Sequence, residues 1–417
     1  MRILFACLVL SLLLACGTEP APASSASESA PIPAENERIA GDPGTFQHDI
    51  DFLRQHQEIF VLKRGDAQII VNPDWQGRIV TSTAEGPSGQ SFGWINYDLI
   101  QASQLEERFN PYGGEDRFWL GPEGGQFSFF FPPGSDFTME NWQVPKALDT
   151  ESFELVEESD TAMYLARNFS LTNYAGTTFE MKVRRSIHLL AASRVGDRFG
   201  ITPNDKVKFV AFESDNVLTN AGENAWTEET GMPSIWILGM FQPSPQTTVV
   251  LPYRSSGGTD PAQLTDTYFG KVPADRIRVG EKAIFFKADG QHRSKIGLPP
   301  RTAKPVAGAW DKRNQVLTLV RYTMNPRRSQ YVNSLWEQQA EPFAGDVVNA
   351  YNDGPLKDGS QMGPFFELES SSPAANMIPG QLTIHTHTTL HLIGDRASLD
   401  FYAKEVLGVG LEEIERW

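Results

Sequence analysis

The segment from Glu151 to Asn220 carries four strand-like runs in succession: ESFELVEES (151–159), AMYLARNFSLTN (162–173), TFEMKVRRSIHLL (178–190) and KVKFVAFESDNVLTN (206–220). The runs contain β-branched and aromatic residues, and the residues between them include Gly, Pro and Asn. This punctuation is typical of strands joined by tight turns. The segment therefore predicts an antiparallel meander.

The same pattern extends outward in both directions. Earlier runs include FVLKRG, AQIIVNP and RIVTSTAEG, and later runs include SIWILGMF, TTVVLPY, AIFFKADG and VLTLVRYTM. About twenty strands without βαβ alternation favour a large all-β sandwich over a parallel sheet, and no fixed-period repeat suggests a propeller. We expect one domain over residues 46–417, with short helices at Asp49–Glu58, Tyr331–Gln339 and Leu399–Val406.

Composition excludes some classes of function. The chain has 417 residues, of which 11% are aromatic and 21% charged, and its formal net charge is -16. The aromatic content supports a sizeable core. The negative charge opposes binding to nucleic acid or docking on anionic lipid, and favours neutral ligands.

The N-terminal residues predict a secretory signal. Residues 1–15 combine one positive charge with a short apolar run that ends in Leu-Leu-Ala before Cys16. This junction resembles the bacterial lipobox, which implies cleavage before Cys16 and its lipidation. In such lipoproteins an aspartate directly after the cysteine signals retention in the inner membrane, but here Gly17 follows. The resemblance therefore implies an outer-membrane lipoprotein of a Gram-negative bacterium, with the protein facing the periplasm. A free thiol or a disulfide at Cys16 is the alternative.

Residues 16–45 are rich in Ala, Ser, Pro and Glu, and this composition predicts a solvated tether behind the lipid anchor.

One loop-like stretch, NPYGGEDRFWLGPEGGQ (Asn110–Gln126), is the first candidate binding site. Its paired glycines would let the backbone approach a ligand closely. Arg117 and Glu123 offer directional polar contacts beside the ring of Trp119, a combination that suits the hydroxyls and the apolar face of a sugar. The alternative is a wide turn with an internal ion pair from Arg117 to Glu115, Asp116 or Glu123.

A second candidate lies in the strand FFELES. Glu367 and Glu369 share one face of this strand, while Phe366 and Leu368 share the other. Two acids on one face of an aromatic-rich strand indicate either a solvated cleft or an exposed sheet surface. In a cleft, a carboxylate there could act as a general base.

Three histidines of one parity follow in IHTHTTLHL: His385, His387 and His391. Their spacing permits a metal site but fixes no complete set of ligands, so we expect no metal. Polar residues also gather around Arg293 and Lys295, in YVNSLWE and in VVNAYNDGP, where they are either turn formers or lining of a cleft. No phosphate loop, nucleophile elbow, CxxC pair or dinucleotide fingerprint is present, and we expect no cofactor.

Three segments together resemble the galactose mutarotase (aldose 1-epimerase-like) superfamily. They are GGEDRFWLGPEGG, NVLTNAG and FFELESSSPAANMIPGQLTIHTHTT. The resemblance implies an antiparallel β-supersandwich, and it maps the catalytic glutamate of a mutarotase onto Glu369. In that family the glutamate takes the proton of the anomeric hydroxyl, and a histidine protonates the ring oxygen. Here the stretch after NVLTNAG contains no histidine, and Gln381 replaces the glutamate of a PGE motif.

These observations lead to three hypotheses. The first is an envelope lipoprotein whose cleft binds a carbohydrate and acts on it, with Glu369 as base and Lys295, His385 or His387 as acid. The second is a glycan-binding module without catalysis, and the third is a structural lipoprotein that binds protein partners. The side chains expected to bind the carbohydrate are Arg117, Trp119, Glu123, Lys295, Glu367, His385 and His387.

Overall fold

The computed structural model describes residues 39–257, 260, 262–325, 328–356 and 358–417. The predicted signal peptide (1–15), Cys16 and the tether as far as residue 38 lie outside the described residues. Within the described part of the chain, no helix is both long enough and apolar enough to cross a membrane.

Eighteen strands account for most of the regular structure: β1 (Phe60–Arg64), β2 (Ala67–Asn72), β3 (Arg78–Thr83), β4 (Arg117–Gly121), β5 (Glu154–Ser159), β6 (Ala162–Thr172), β7 (Thr178–Leu189), β8 (Val207–Asn220), β9 (Ser234–Phe241), β10 (Thr247–Pro252), β11 (Ile277–Val279), β12 (Ala283–Lys287), β13 (Ser294–Leu298), β14 (Val306–Asp311), β15 (Val316–Tyr322), β16 (Val348–Asn352), β17 (Phe366–Ser371) and β18 (Leu382–Gly394). The helices are short: α1 (Phe46–Leu53), α2 (Tyr97–Ala102), α3 (Lys146–Asp149), α4 (Ala192–Phe199), α5 (Arg396–Leu407) and α6 (Leu411–Ile414).

The largest sheet has ten strands in the order β11-β12-β10-β14-β15-β18-β8-β7-β6-β5. Along β7 exposed and buried residues alternate for most of its length, as the sequence pattern predicts for a strand with one solvated face. Near the other edge of the sheet, α5 covers the outer face, where Leu399, Tyr402 and Leu407 pack against Phe285 and Leu317. The ten-stranded sheet is therefore the central layer.

A five-stranded sheet, in the order β13-β16-β17-β9-β4, packs on the inner face of the ten-stranded sheet. Phe366 and Leu368 of β17 belong to the same buried cluster as Val249 of β10 and Val320 of β15. Glu367 and Glu369 have the opposite parity and lie on the face of β17 away from that cluster. This second face of the small sheet carries the candidate site. A separate three-stranded sheet has the order β1-β2-β3 and is the third sheet of the described residues.

The interface between the two large sheets contains polar side chains as well as apolar ones. Arg185 of β7 forms a fully buried ion pair with Asp116, and its Nη1 also donates to Asn216 Oδ1 at 2.7 Å. Ser214 Oγ donates to Asp116 Oδ2 at 2.8 Å. A buried charge pair survives only when its hydrogen-bonding capacity is satisfied, and these neighbours satisfy it. The network anchors the start of β4, and hence Arg117.

The all-β antiparallel prediction is confirmed, because every pairing between the named strands is antiparallel. The predicted helix at Leu399–Val406 falls within α5. The helix predicted at Asp49–Glu58 is observed as α1, which begins at Phe46 and ends at Leu53, five residues before the predicted end. The helix predicted at Tyr331–Gln339 is wrong. There the Gln339 side-chain amide donates to the carbonyls of Asn333 and Leu335, which fixes an irregular loop.

Candidate functional site

A cleft of about 790 Å³ lies on the outward face of the five-stranded sheet. Its floor consists of side chains from the five strands, and its walls come from residues 106–111, 139–142, 353–356 and 360–365 and from Trp336. Aromatic and charged groups dominate the lining, which includes Phe109, Arg117, Trp119, Glu123, Trp142, Trp236, Phe269, Arg293, Lys295, Trp336, Tyr351, Asp353 and Glu367. This combination is typical of a site for a ligand with both apolar and polar faces.

The register of the sheet places two cations and two carboxylates in adjacent rows. Arg117 and Glu369 both pair with Leu238 and therefore occupy one row. Lys295 and Glu367 both pair with Tyr351 and occupy the next row. The long side chains then pair diagonally, Arg117 with Glu367 and Lys295 with Glu369. The period-2 pattern of five strands thus assembles a charged floor from residues distant in sequence.

The first diagonal pair is Lys295 and Glu369. Lys295 Nζ donates to Glu369 Oε2 at 2.8 Å, and Trp236 Nε1 donates to the same oxygen at 2.9 Å. The ammonium also lies 4.8 Å from the Trp236 ring centroid. Burial acts to lower the pKa of Lys295, but the carboxylates of Glu369 and Glu123 outweigh it and raise that pKa. Lys295 is therefore held as a cation beside a carboxylate.

The second diagonal pair is Arg117 and Glu367. Arg117 Nη2 donates to Glu367 Oε1 at 2.9 Å, and the guanidinium lies 4.2 Å from the centroid of the Trp119 ring. Burial raises the pKa of Glu367 to about 8, against the opposing influence of Arg117 and with a further upward contribution from Glu369. Within the described residues, Arg117 Nε and Nη1 have no hydrogen-bond partner. Glu367 is thus a buried carboxyl group whose pKa lies near neutral pH while Arg117 favours its charged form.

Glu123 contributes a third carboxyl group to the cleft. Its backbone N–H donates to Ser334 Oγ at 3.2 Å, which fixes the loop after β4. Burial raises the pKa of Glu123, against the influence of Lys295 and Arg293. A buried carboxyl group with a raised pKa is suited to donate hydrogen bonds or protons to a bound ligand.

The aromatic wall consists of four tryptophans in mutual contact. Trp119 lies edge to face with Trp236, with ring centroids 5.5 Å apart, and Trp142 stacks near Trp336 at 6.1 Å. Trp119 Nε1 donates to the Leu148 carbonyl, whereas Trp142 Nε1 has no partner among the described residues. The wall therefore offers apolar ring faces and one buried N–H donor.

Of the residues predicted to bind a ligand, Arg117, Trp119, Glu123, Lys295 and Glu367 come together in the cleft. Glu369 does not line it, but contacts Lys295 and Trp236, which do. Arg117 pairs with Glu367 rather than with a residue of its own loop, because Glu115 bonds to His391 and Asp116 bonds to Arg185.

The placement of His385 and His387 in the cleft is wrong. Both are fully buried between the two large sheets, where Ser370 Oγ lies 2.7 Å from His385 Nε2 and 2.8 Å from His387 Nδ1. Burial lowers the pKa of His385 to about 3 and that of His387 to about 4. They are uncharged near neutral pH and cannot serve as acids in the cleft. In the described part of the chain, no three His, Cys, Asp or Glu side chains form a metal-binding group.

The paired glycines do not approach a ligand, which corrects a further expectation. A Cβ on Gly113, which has φ of +98°, would lie 2.0 Å from the Trp94 carbonyl oxygen, and a Cβ on Gly124 would lie 2.3 Å from that of Leu335. The glycines therefore permit close contact between loops of the chain itself.

The sequence analysis does not identify several lining residues, among them Trp142, Phe269 and Tyr351. Trp142 and Phe269 lie in loops without periodicity. Tyr351 has the parity of Asn349 and Asp353, a signal that could have placed it on the cleft face.

Comparison with solved structures finds proteins of similar architecture. A candidate aldose 1-epimerase from Escherichia coli K12 is 14% identical, with a TM-score of 0.49 over 81% of this chain and 99% of that one. A galactose mutarotase-like protein from Lactobacillus casei ATCC 334 is 10% identical, with a TM-score of 0.46 over 80% of this chain and 100% of that one. These names belong to the superfamily that the three sequence segments resemble. At such scores the matches carry no information about reaction or ligand.

Comparison with curated protein sequences gives no significant match. A family model does match, over residues 44–417, and it describes a family of unknown function, DUF6786. Because the match spans most of the chain, this protein belongs to the DUF6786 family.

Proposed function

We propose that the cleft binds a carbohydrate. The observation that carries this proposal is the arrangement of a tryptophan wall beside a charged floor. Trp119, Trp142 and Trp336 present ring surface for the C–H face of a pyranose, while Arg117 and Glu123 present polar atoms for its hydroxyl groups. A volume of about 790 Å³ accommodates one or a few sugar rings.

Calorimetric titration of the full chain with mono- and oligosaccharides tests this proposal. Trp336→Ala removes a half-buried ring from the wall together with its hydrogen bond to Glu123, and it leaves the ion pairs of the floor in place. We therefore expect a loss of affinity of about tenfold or more. Trp417→Ala removes an exposed ring outside the cleft and serves as the matched control. Equal affinities in both variants, or no saccharide binding at all, would contradict the proposal.

A second candidate function is the interconversion of the anomers of the bound sugar by proton transfer. The raised pKa of Glu367 favours it. In this reaction a carboxylate takes the proton of the anomeric hydroxyl while an acid protonates the ring oxygen, and the bond between C1 and the ring oxygen breaks. Ring closure on the other face returns both protons. Glu367 and Glu123, with raised pKa values, suit the acid, and Glu369 beneath Lys295 suits the base once the ligand displaces the ammonium.

Anomer exchange, followed by NMR on sugars that bind, separates catalysis from binding alone. We expect Glu369→Gln and Glu367→Gln to lose exchange activity by about 10² or more while they retain binding, with Glu412→Gln as an exposed control. Full exchange activity in Glu369→Gln would remove that residue from the mechanism. Binding without exchange in the unmodified protein would leave a glycan-binding module.

We also propose that the chain is a lipoprotein of the cell envelope, anchored through Cys16 in the outer membrane. The Leu-Leu-Ala-Cys junction and the following Ala/Ser/Pro/Glu segment support this proposal. Labelling with a fatty-acid analogue in a Gram-negative host tests it. We expect incorporation into the unmodified chain and none into Cys16→Ser, and label in both would refute the assignment.

A further inference from the structure

Two cations that line the cleft, Arg108 and Arg293, have no carboxylate within ion-pair distance among the described residues. Arg108 is exposed, whereas Arg293 is partly buried against Phe269. Arg293 precedes β13 directly and has the parity of Lys295, so it extends the charged floor toward one end of the cleft. Arg117 and Lys295 each pair with a glutamate. By contrast, no carboxylate in the described residues lies within 4.0 Å of the Arg293 guanidinium. Its terminal nitrogens are therefore free to bind a ligand.

The guanidinium of Arg293 is nonetheless held in a defined orientation. Its Cζ lies 4.1 Å from the centroid of the Phe269 ring, and its Nε donates to Tyr351 OH at 3.2 Å. Tyr351 OH in turn donates to Asp353 Oδ1 at 2.6 Å, and Asp353 Oδ2 accepts from the Gly363 backbone N–H at 3.1 Å. Stacking on an aromatic ring and a fixed Nε leave Nη1 and Nη2 as a preorganised fork.

The surrounding carboxyl groups leave the fork electrostatically available. Asp353 is already engaged by Tyr351 and Gly363. Arg293 also acts on Glu123, but burial outweighs this influence and raises the pKa of Glu123. Burial likewise raises the pKa of Glu367, which lies in the same row of the sheet as Lys295, to about 8. Because burial disfavours the charged forms of these carboxyl groups, they compensate the positive charges of the cleft only in part.

We propose that Arg293 binds a carboxylate on the carbohydrate, so that the ligand of the cleft is an acidic sugar of the uronate class. This inference rests on the proposed carbohydrate function and specifies its substrate class. A planar fork with two parallel N–H donors matches a carboxylate in bidentate geometry. A phosphate fits less well, because its second negative charge would lie near the Asp353 carboxylate. The Trp wall would hold the ring while Arg293 fixes its carboxylate end.

The test compares matched sugars by calorimetry on the full chain at neutral pH. The probes are galacturonate, glucuronate and mannuronate, each with its neutral parent hexose and the corresponding 6-phosphate. We expect at least one uronate to bind about tenfold more tightly than its neutral parent and its phosphate. Arg293→Lys keeps the charge but removes the fork, so the preference should fall below about threefold. Arg301→Lys, at an exposed guanidinium outside the cleft, should leave the preference unchanged.

The outcomes separate this inference from the function on which it rests. Tight binding of neutral hexoses with no gain for uronates would overturn the role of Arg293 and leave the carbohydrate cleft intact. A 6-phosphate that binds more tightly than the uronate would overturn the assignment of a carboxylate. A uronate preference that survives in Arg293→Lys would place the recognition elsewhere. The absence of binding by every sugar would overturn both proposals.

Discussion

Replacing Lys295 by methionine tests whether the floor of the cleft is a mutually dependent charge network. The Glu369 side chain is 0% exposed and that of Lys295 is 6% exposed. Glu369 Oε2 accepts from Lys295 Nζ and Trp236 Nε1, while Oε1 has no partner among the described residues. Lys295→Met preserves the length of the side chain and leaves the carboxylate buried with one neutral donor.

The expected loss of stability is about 3 to 5 kcal/mol, the usual cost of leaving a buried charge without its partner. With an unfolding entropy of about 2.1 cal/mol/K per residue over roughly 380 residues, this loss lowers Tm by about 4 to 6 °C. The second change Glu369→Gln removes the unpaired charge and keeps an acceptor for Trp236. The double variant should therefore recover most of the loss.

Calorimetric and urea unfolding at neutral pH measure these differences. Lys404→Met is the matched control, because it breaks an exposed pair with Asp400 and should cost less than about 1 kcal/mol. The account of a buried, coupled pair is contradicted if Lys295→Met lowers the free energy of unfolding no more than Lys404→Met does. It is also contradicted if the double variant is less stable than Lys295→Met alone.

Two further predictions concern the supporting structure. Gly113→Ala places a methyl group 2.0 Å from the Trp94 carbonyl oxygen at a φ of +98°, so we expect a loss of about 3 kcal/mol or more in urea unfolding. Gly134→Ala, with φ of +77° and open space, should cost about 1 kcal/mol, and equal costs would contradict the close packing of Gly113. Burial lowers the pKa of His385 and His387 below the value of about 6.5 expected in the unfolded chain, so the unfolded state binds more protons below that pH. Stability should therefore fall from pH 6.5 toward pH 4 by up to about 1.4 kcal/mol per pH unit for each histidine, and less steeply in His387→Asn, whereas identical pH profiles would refute this burial effect.

The period-2 pattern was sufficient to predict much of the fold. The segregation of Glu367 and Glu369 from Phe366 and Leu368 follows directly from strand geometry, and the structure reproduces it. Parity alone does not say which face of a sheet meets solvent. The sequence therefore predicts His385 in the cleft, whereas its face of β18 packs against Ser370 of the other sheet.

The ion-pair partners in the cleft could not be predicted from neighbouring residues in the sequence. Arg117 and Glu367 are 250 positions apart, and only the order of the strands brings them together. A local candidate such as Glu115 was equally compatible with the sequence, but it bonds to His391 across the interface between the sheets. The free fork of Arg293 likewise depends on Phe269, a loop residue without periodicity.

The most direct test of a carbohydrate-binding cleft is ¹⁹F NMR of the full chain labelled with 5-fluorotryptophan. The sequence has nine tryptophans, and assignment by substitution separates those of the cleft from the others. We predict that a binding saccharide shifts the resonances of Trp142 and Trp336, which line the cleft, and leaves those of Trp310 and Trp417 unchanged. Unchanged cleft resonances at saturating concentrations of uronates and neutral sugars alike, or shifts confined to Trp310 and Trp417, would contradict the account.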